Sequence, residues 1–414
     1  TIPDLRRKAF VVLALLAAFR AAAAIPAPGV DPLRLKEFLA GNQFFGLLNI
    51  FSGGALSNLS IVMLGVGPFI TASIIMQLFT MIIPRFKEMY QEEGEAGRER
   101  FNQYARLLTI PLAFLQGYGL LTLLIRQQVM APLGVFGYIS NMMVIAAGTV
   151  FLMWLGELIT EKGIGNGISL MILAGIVSDL PRLFQQEFFT FSPDQIPGYI
   201  AFAFVGLLVI AGVVIISEGE RDIPVSYAKR IRGNRVFGGT STHLPLRVNQ
   251  AGVIPIIFAV SIILFPGLVG SMLSGARNPY VHTAAAWLVG LFNNQWLYGS
   301  VYFLMVFVFT YFYTAVTFDP DALADNLQKQ GGFVLGIRPG RPTSEYFARI
   351  LTRITLAGAL FLGVIAILPL IVQSIFTIKA LSIGGTALLI AVSVIIETMK
   401  QVDSQLVMRE YEGA

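Results

Sequence analysis

The chain has 414 residues, 55% of them hydrophobic and only 13% charged, with a mean hydropathy of +0.72 and a net charge of +5. Soluble domains carry about a quarter charged residues, so this composition excludes an ordinary water-soluble globule. Cysteine is absent, which excludes disulfides and thiolate metal centres.

Apolar runs of roughly 18 to 22 residues recur from end to end, each long enough to cross about 30 Å of hydrocarbon at about 1.5 Å per residue. Lipid offers the backbone no hydrogen bonds, so such runs must be helical. The first, at 9–27, follows Arg6, Arg7 and Lys8 in the manner of a signal peptide. Arg20 interrupts it and many spans follow, so it reads as a retained span. Residues 41–58 are moderately apolar but broken by Gly41, Gly46, Gly53 and Gly54, too short and interrupted to cross. They read either as a half-inserted segment entering from the outer side or as an ordinary outer loop. A true span is expected from about Leu59, at 59–83. Further spans are predicted at 107–125, 142–160, 164–181, 198–217, 251–270, 300–318, 354–372 and 375–398. The fold class expected is an all-α membrane protein of ten transmembrane helices.

An even number of spans puts both termini on one side. Most of the 29 Lys and Arg fall on that side; the exceptions are Arg20, Arg34, Lys36, Arg126, Arg182, Arg277 and Lys379. By the positive-inside bias the termini are cytoplasmic. The loops 218–249 and 319–353 are long and basic. They either satisfy that bias alone or form a docking surface for a large acidic cytosolic partner. The outer loop at 182–197 divides the chain five spans to five. Halves 1–181 and 198–414 of similar fold would then be inverted relative to each other, with a cavity between them.

An enzyme finds little support. Both histidines, His243 and His282, lie in loops, no catalytic motif is present, and no metal or cofactor is expected. GIGNG at 163–167 follows no strand and reads as a tight turn between the fourth and fifth spans. Glu157, Glu161 and Glu397 sit near inner span ends, whereas an ion-coupled transporter should bury ionisable groups at mid-membrane. Secondary transport is therefore the alternative, not the first choice. Gln77, Gln116 and Asn249 are read as mid-span amides, either holding helices together or forming a polar seam that opens.

Six stretches carry a resemblance: FSGGALSNLSIVMLGVGPFITASIIMQL at 51–78, EGEAGRERFNQYAR at 93–106, GIGNGISLMILAGI at 163–176, STHLPLRVNQAGVIPIIFA at 241–259, GIRPGRPT at 336–343 and GGTALLI at 384–390. Collinear over essentially the whole chain, they resemble the bacterial SecY family of protein-export channels. The resemblance implies a pseudo-symmetric, two-halved bundle around an hourglass pore in the inner membrane. Secretory preproteins would cross through it, and signal sequences and other hydrophobic segments would leave sideways into membrane lipid. It also implies SecE and SecG subunits, with the SecA motor or a translating ribosome as partners.

Carried over by motif, the pore ring would be Val66, Ile70, Ile168, Ile172, Ile257 and Ile390. The i,i+4 spacing of Val66/Ile70 and Ile168/Ile172 puts each pair on one helix face. A ring of branched aliphatic chains gates small ions by dewetting. The plug would lie at about 49–58, including Phe51, Ser52, Gly53, Gly54, Ala55 and Leu56. A lateral gate would run between the second and third spans and the seventh and eighth, with Thr71, Gln77, Gln116, Asn249 and Phe265 along it. Lys229, Arg230, Arg235 and Arg338 would dock the cytosolic partner. Beginning at Thr1 rather than Met, the chain is expected to be trimmed at its start.

Overall fold

A computed structural model describes residues 3–27, 49, 52–56, 59–126, 128–190, 196–227, 230–232, 235–237, 241–273, 278–376 and 381–412. Each span expected from hydropathy coincides with a helix. Among the described residues, five helices are long and apolar enough to cross a membrane, and a sixth span arises if one bent pair counts as one.

Helix α1 (Pro3–Ala23) opens with Asp4 in its first turn, where a carboxylate favours the exposed amides. Helix α2 begins only at Gly67 and runs to Ile82. The expectation of a span from Leu59 is therefore corrected. Leu59 (φ 40°) and Gly65 (φ 60°) lie in the left-handed region, and Pro68 suits a first helical turn better than an interior. The non-helical stretch before α2 is buried and bonded to protein: Ala27 N–H donates to Leu59 O at 2.7 Å, and Ile61 N–H to Ile25 O at 3.0 Å. Irregular backbone at membrane depth survives only with such partners. At Ile83, held extended by the proline after it, the chain bends by 109° into α3 (Pro84–Gln91).

The first half continues with α4 (Gly94–Arg126), α5 (Val135–Lys162) and α6 (Gly167–Thr190). The tight turn read at GIGNG is there, and Asn166 adds a cap. Its Oδ1 accepts from Ile168 N–H at 3.1 Å and Ser169 N–H at 3.2 Å, starting α6. Helix α6 passes Pro181 and extends into the stretch expected as the 182–197 loop. Gly148 of α5 lets the stretch before α2 lie against that helix: a Cβ there would sit 2.3 Å from the Ile61 carbonyl oxygen.

Helix α7 (Ile196–Glu218) leads into a small sheet that the sequence reading missed. Strand β1 (Glu220–Tyr227) pairs antiparallel with β4 (Ser241–Arg247) on one side and β5 (Gly332–Val334) on the other. A separate hairpin joins β2 (Arg230–Arg232) and β3 (Arg235–Phe237). Then come α8 (Ile254–Leu273), α9 (Pro279–Asn293), α10 (Gln295–Thr317), α11 (Pro320–Lys329), α12 (Arg341–Phe376) and α13 (Leu381–Glu412).

The two long basic loops therefore fold as one unit. Ile223, Val225, Leu246, Ala324, Val334 and Phe347 form its hydrophobic core, completed by Ile350, Leu351 and Ile354 of α12. Further along, Leu362, Ile365 and Ala366 of the same helix enter the main core. Lys8 Nζ donates to Gln405 Oε1 at 3.1 Å, so α1 starts and α13 ends on one face, here the terminal face. Lys400 Nζ lies 2.9 Å from Glu218 Oε1 and donates to Ser217 O at 3.2 Å, placing the sheet on that same face.

Candidate functional site: an aliphatic ring and its polar surroundings

The stretches expected as halves, 1–181 and 198–414, pack together along two seams. On one, α8 packs against α2 and α4, and α10 touches α2; on the other, α13 packs against α6. The six residues expected to form the ring lie on four helices that flank these seams, or, for Val66, just before one of them. Val66 is the residue before α2, and Ile70 N–H donates to Val66 O at 3.0 Å, so the i,i+4 relation holds. Ile168 and Ile172 lie in the first turns of α6, Ile257 in the first turn of α8, and Ile390 in α13. Val66, Ile70, Ile172, Ile257 and Ile390 are all buried in the main core, and Ile168 packs against it half-buried. These side chains have no polar atoms, and water gains nothing by entering among them.

Of the segment expected as a plug, 50–51 and 57–58, including Phe51, lie outside the described residues. Ser52, Gly53, Gly54, Ala55 and Leu56 are all buried. They form a tight turn in which Ser52 Oγ donates to Asn49 O at 3.0 Å and accepts from Leu56 N–H at 3.0 Å. Gly54 N–H donates to Asn49 O at 2.8 Å. The turn lies backbone to backbone on α6, since a Cβ at Gly175 would sit 2.1 Å from Gly53 Cα. Two charged side chains reach it. Arg20 Nη1 donates to Gly53 O at 2.7 Å, and Asp179 Oδ2 accepts from Asn49 Nδ2 at 3.3 Å. Asp179 escaped the sequence reading because one carboxylate past the middle of a span carries no motif. Arg20 was visible only as an interruption.

The polar seam is partly assembled. Gln116 Nε2 of α4 donates to Thr71 Oγ1 of α2 at 3.3 Å. Asn249 is not mid-span: it lies in the turn before α8, where its Nδ2 donates to Gly252 O at 3.1 Å. The correction follows from Gly252 (φ 62°) and Pro255, which start α8 only at Ile254. Gln77 Oε1 and Asn249 Oδ1 are buried without a hydrogen-bond partner among the described residues. The side chain of Phe265 lies outside them. One further contact crosses this seam: Gln91 Nε2 of α3 donates to Val316 O of α10 at 3.4 Å. On its α8/α10 side, Phe258 of α8 meets Phe309 and Tyr313 of α10 edge-on, 6.2 and 6.0 Å away.

On the terminal face Arg338 is exposed in the turn between β5 and α12, its carbonyl accepting from Thr343 Oγ1 at 2.8 Å. Arg230 and Arg235 belong to the β2–β3 hairpin; their side chains and all of Lys229 lie outside the described residues.

Known proteins are similar to this chain in sequence and in fold. The SecY family model matches residues 60–399. The protein translocase subunit SecY of Mycobacterium bovis is 43% identical over 433 residues, a match spanning 99% of this chain and 97% of that protein. The subunit of the same name from Halalkalibacterium halodurans is 44% identical over 430 residues, spanning 100% and 97%. Among solved structures, one described as a protein-conducting channel aligns with a TM-score of 0.66 at 19% identity. That alignment covers 96% of this chain and 91% of the other, a likeness of fold.

Proposed function

The chain belongs to the SecY family, and from that membership together with the aliphatic ring we infer that it is the polypeptide-conducting subunit of a protein-translocation channel. It is a multi-pass membrane protein and a channel component, not an enzyme. The observation that supports the mechanism is that the residues of the expected ring, carried on or beside four helices, lie buried or half-buried in one hydrophobic core. At rest they exclude water and ions by dewetting. An extended chain passing between them replaces one set of apolar contacts with another, so the seal yields without a fixed partner.

In this reading the turn at 52–56 is the plug, and the α2/α4–α8/α10 seam is the lateral gate through which hydrophobic segments leave into lipid. Thr71, Gln77, Gln116 and Asn249 supply its polar groups. In the same reading the terminal face, basic as the positive-inside bias expects, faces the cytosol, and the membrane is the bacterial inner membrane. The sheet unit with Arg338 then receives the SecA motor or a translating ribosome, and SecE and SecG complete the complex. Energy comes from such a partner or from the membrane potential.

The absence of cysteine makes a direct test simple. A single Cys replaces Ile172, the channel is reconstituted with SecE, and a secretory precursor carrying one Cys is stalled in mid-passage. Disulfide capture at Ile172, with none at a lipid-facing control such as Leu207, is expected. Failure of capture at Ile172 and at every other ring position, with the precursor stalled, overturns the ring as the polypeptide path.

A further inference from the structure

Arg20 on α1 and Asp179 on α6 reach the same turn from two helices. Beyond their bonds to Gly53 and Asn49, both converge on Gly54. A Cβ there would lie 3.2 Å from each Asp179 carboxylate oxygen and 3.3 Å from Arg20 Nη1. Ionised groups inside an apolar bundle are costly unless paired or hydrogen-bonded, and bonds made by charged groups are among the strongest available. Here the partners include the backbone and a side chain of a short turn whose backbone lies on α6 at Gly53 and Gly175, while Ala55 and Leu56 are buried in the main core. Lifting the turn away would strip both charges of these bonds at once.

We propose that Arg20 and Asp179 are positioning residues for gating, a polar latch from two helices that holds the 52–56 turn in place and sets how readily the channel opens. The proposal rests on the reading of that turn as the plug. The burial of Ala55 and Leu56 holds the turn by a force that is itself non-directional. The two charges instead fix one register, with the Gly53 carbonyl toward α1 and Asn49 toward α6. The latch therefore releases as a unit when a passing polypeptide displaces the turn.

The test uses the full chain reconstituted with its partner subunits in a planar bilayer and in vesicles. Two quantities are read: the resting ion conductance, and the rate at which a water-soluble maleimide labels a single Cys placed at Ala55, which is fully buried. Loss of a charge-assisted bond should raise the open population about ten- to a hundred-fold, so Arg20→Gln and Asp179→Asn should each raise both quantities by that order. Arg20→Lys should restore them. A channel lacking residues 52–56 is measured alongside. If that deletion raises conductance while both latch variants match the parent, the latch is overturned and the plug reading stands. Should the deletion leave conductance unchanged, the plug reading falls and the latch with it. If Arg20→Gln does not accumulate, Asp179→Asn decides, and labelling at the parent rate overturns the proposal.

Discussion

Val225 and Val334 sit directly opposite each other on paired strands, although one belongs to the loop after α7 and the other to the loop after α11. Both are buried in the same small core. Neither loop can bury its valine alone, so the two stand or fall together. A charge placed at Val334 should cost about 3 kcal/mol of local stability. Limited proteolysis of Val334→Asp in detergent should then cut within 218–249 as well as within 319–353. Cleavage confined to the second loop would show that the loops fold separately.

Arg338 offers the complementary case. Its side chain is exposed, and the turn is held through its carbonyl rather than its guanidinium. Arg338→Glu should therefore shift the melting temperature little, within about 0.5 kcal/mol of stability. SecA-driven export should slow by about tenfold through weaker partner association. A normal export rate would remove Arg338 from the docking surface.

The ring predicts a polar defect. Ile70→Asn or Ile257→Asn sets an amide among aliphatic chains, giving water a hydrogen-bond partner at the constriction. Resting ion conductance should rise, by about tenfold if one polar group shifts the wetting balance by roughly 1.4 kcal/mol. Discrimination against defective signal sequences should relax in a reconstituted export assay. Unchanged discrimination in both variants would misplace the ring.

Gly148 tests the close approach of backbone to helix. Gly148→Ala drives a methyl group into the Ile61 carbonyl and should destabilise the fold by about 2 kcal/mol. Gly206 of α7 faces open space, and Gly206→Ala should melt no lower than the parent. Equal melting temperatures for the two variants would mean that the stretch before α2 yields freely.

The helices were legible because lipid leaves long apolar runs no other conformation. The ring positions came from motif, since an isoleucine in a membrane span looks the same whether it seals a pore or touches lipid. Other features lay beyond that signal. Helix α2 starts late because Gly65 and Pro68 outweigh an apolar run that hydropathy reads as continuous. Strand β1 hides among basic loop residues, and its alternation makes sense only against Phe347 and Leu351, far along the chain. Asn249 looked mid-span until Gly252 and Pro255 were seen to delay α8. Arg20 seemed an isolated interruption, because its partners are the backbone of a glycine-rich turn and not a side chain with a recognisable pattern.

Helix α12 belongs to two cores at once. Thirty-six residues give it a length of about 54 Å, and its first turns are built into the sheet unit while its later turns run through the membrane bundle. It is a mechanical strut: a motor that rocks the sheet unit by about 5° would swing the far end of a rod that long by about 5 Å, a full helical rise of roughly three residues. In the proposed channel, work done on the sheet unit would thus have a route along a single helix into the membrane bundle, one that does not depend on the cargo to carry the force.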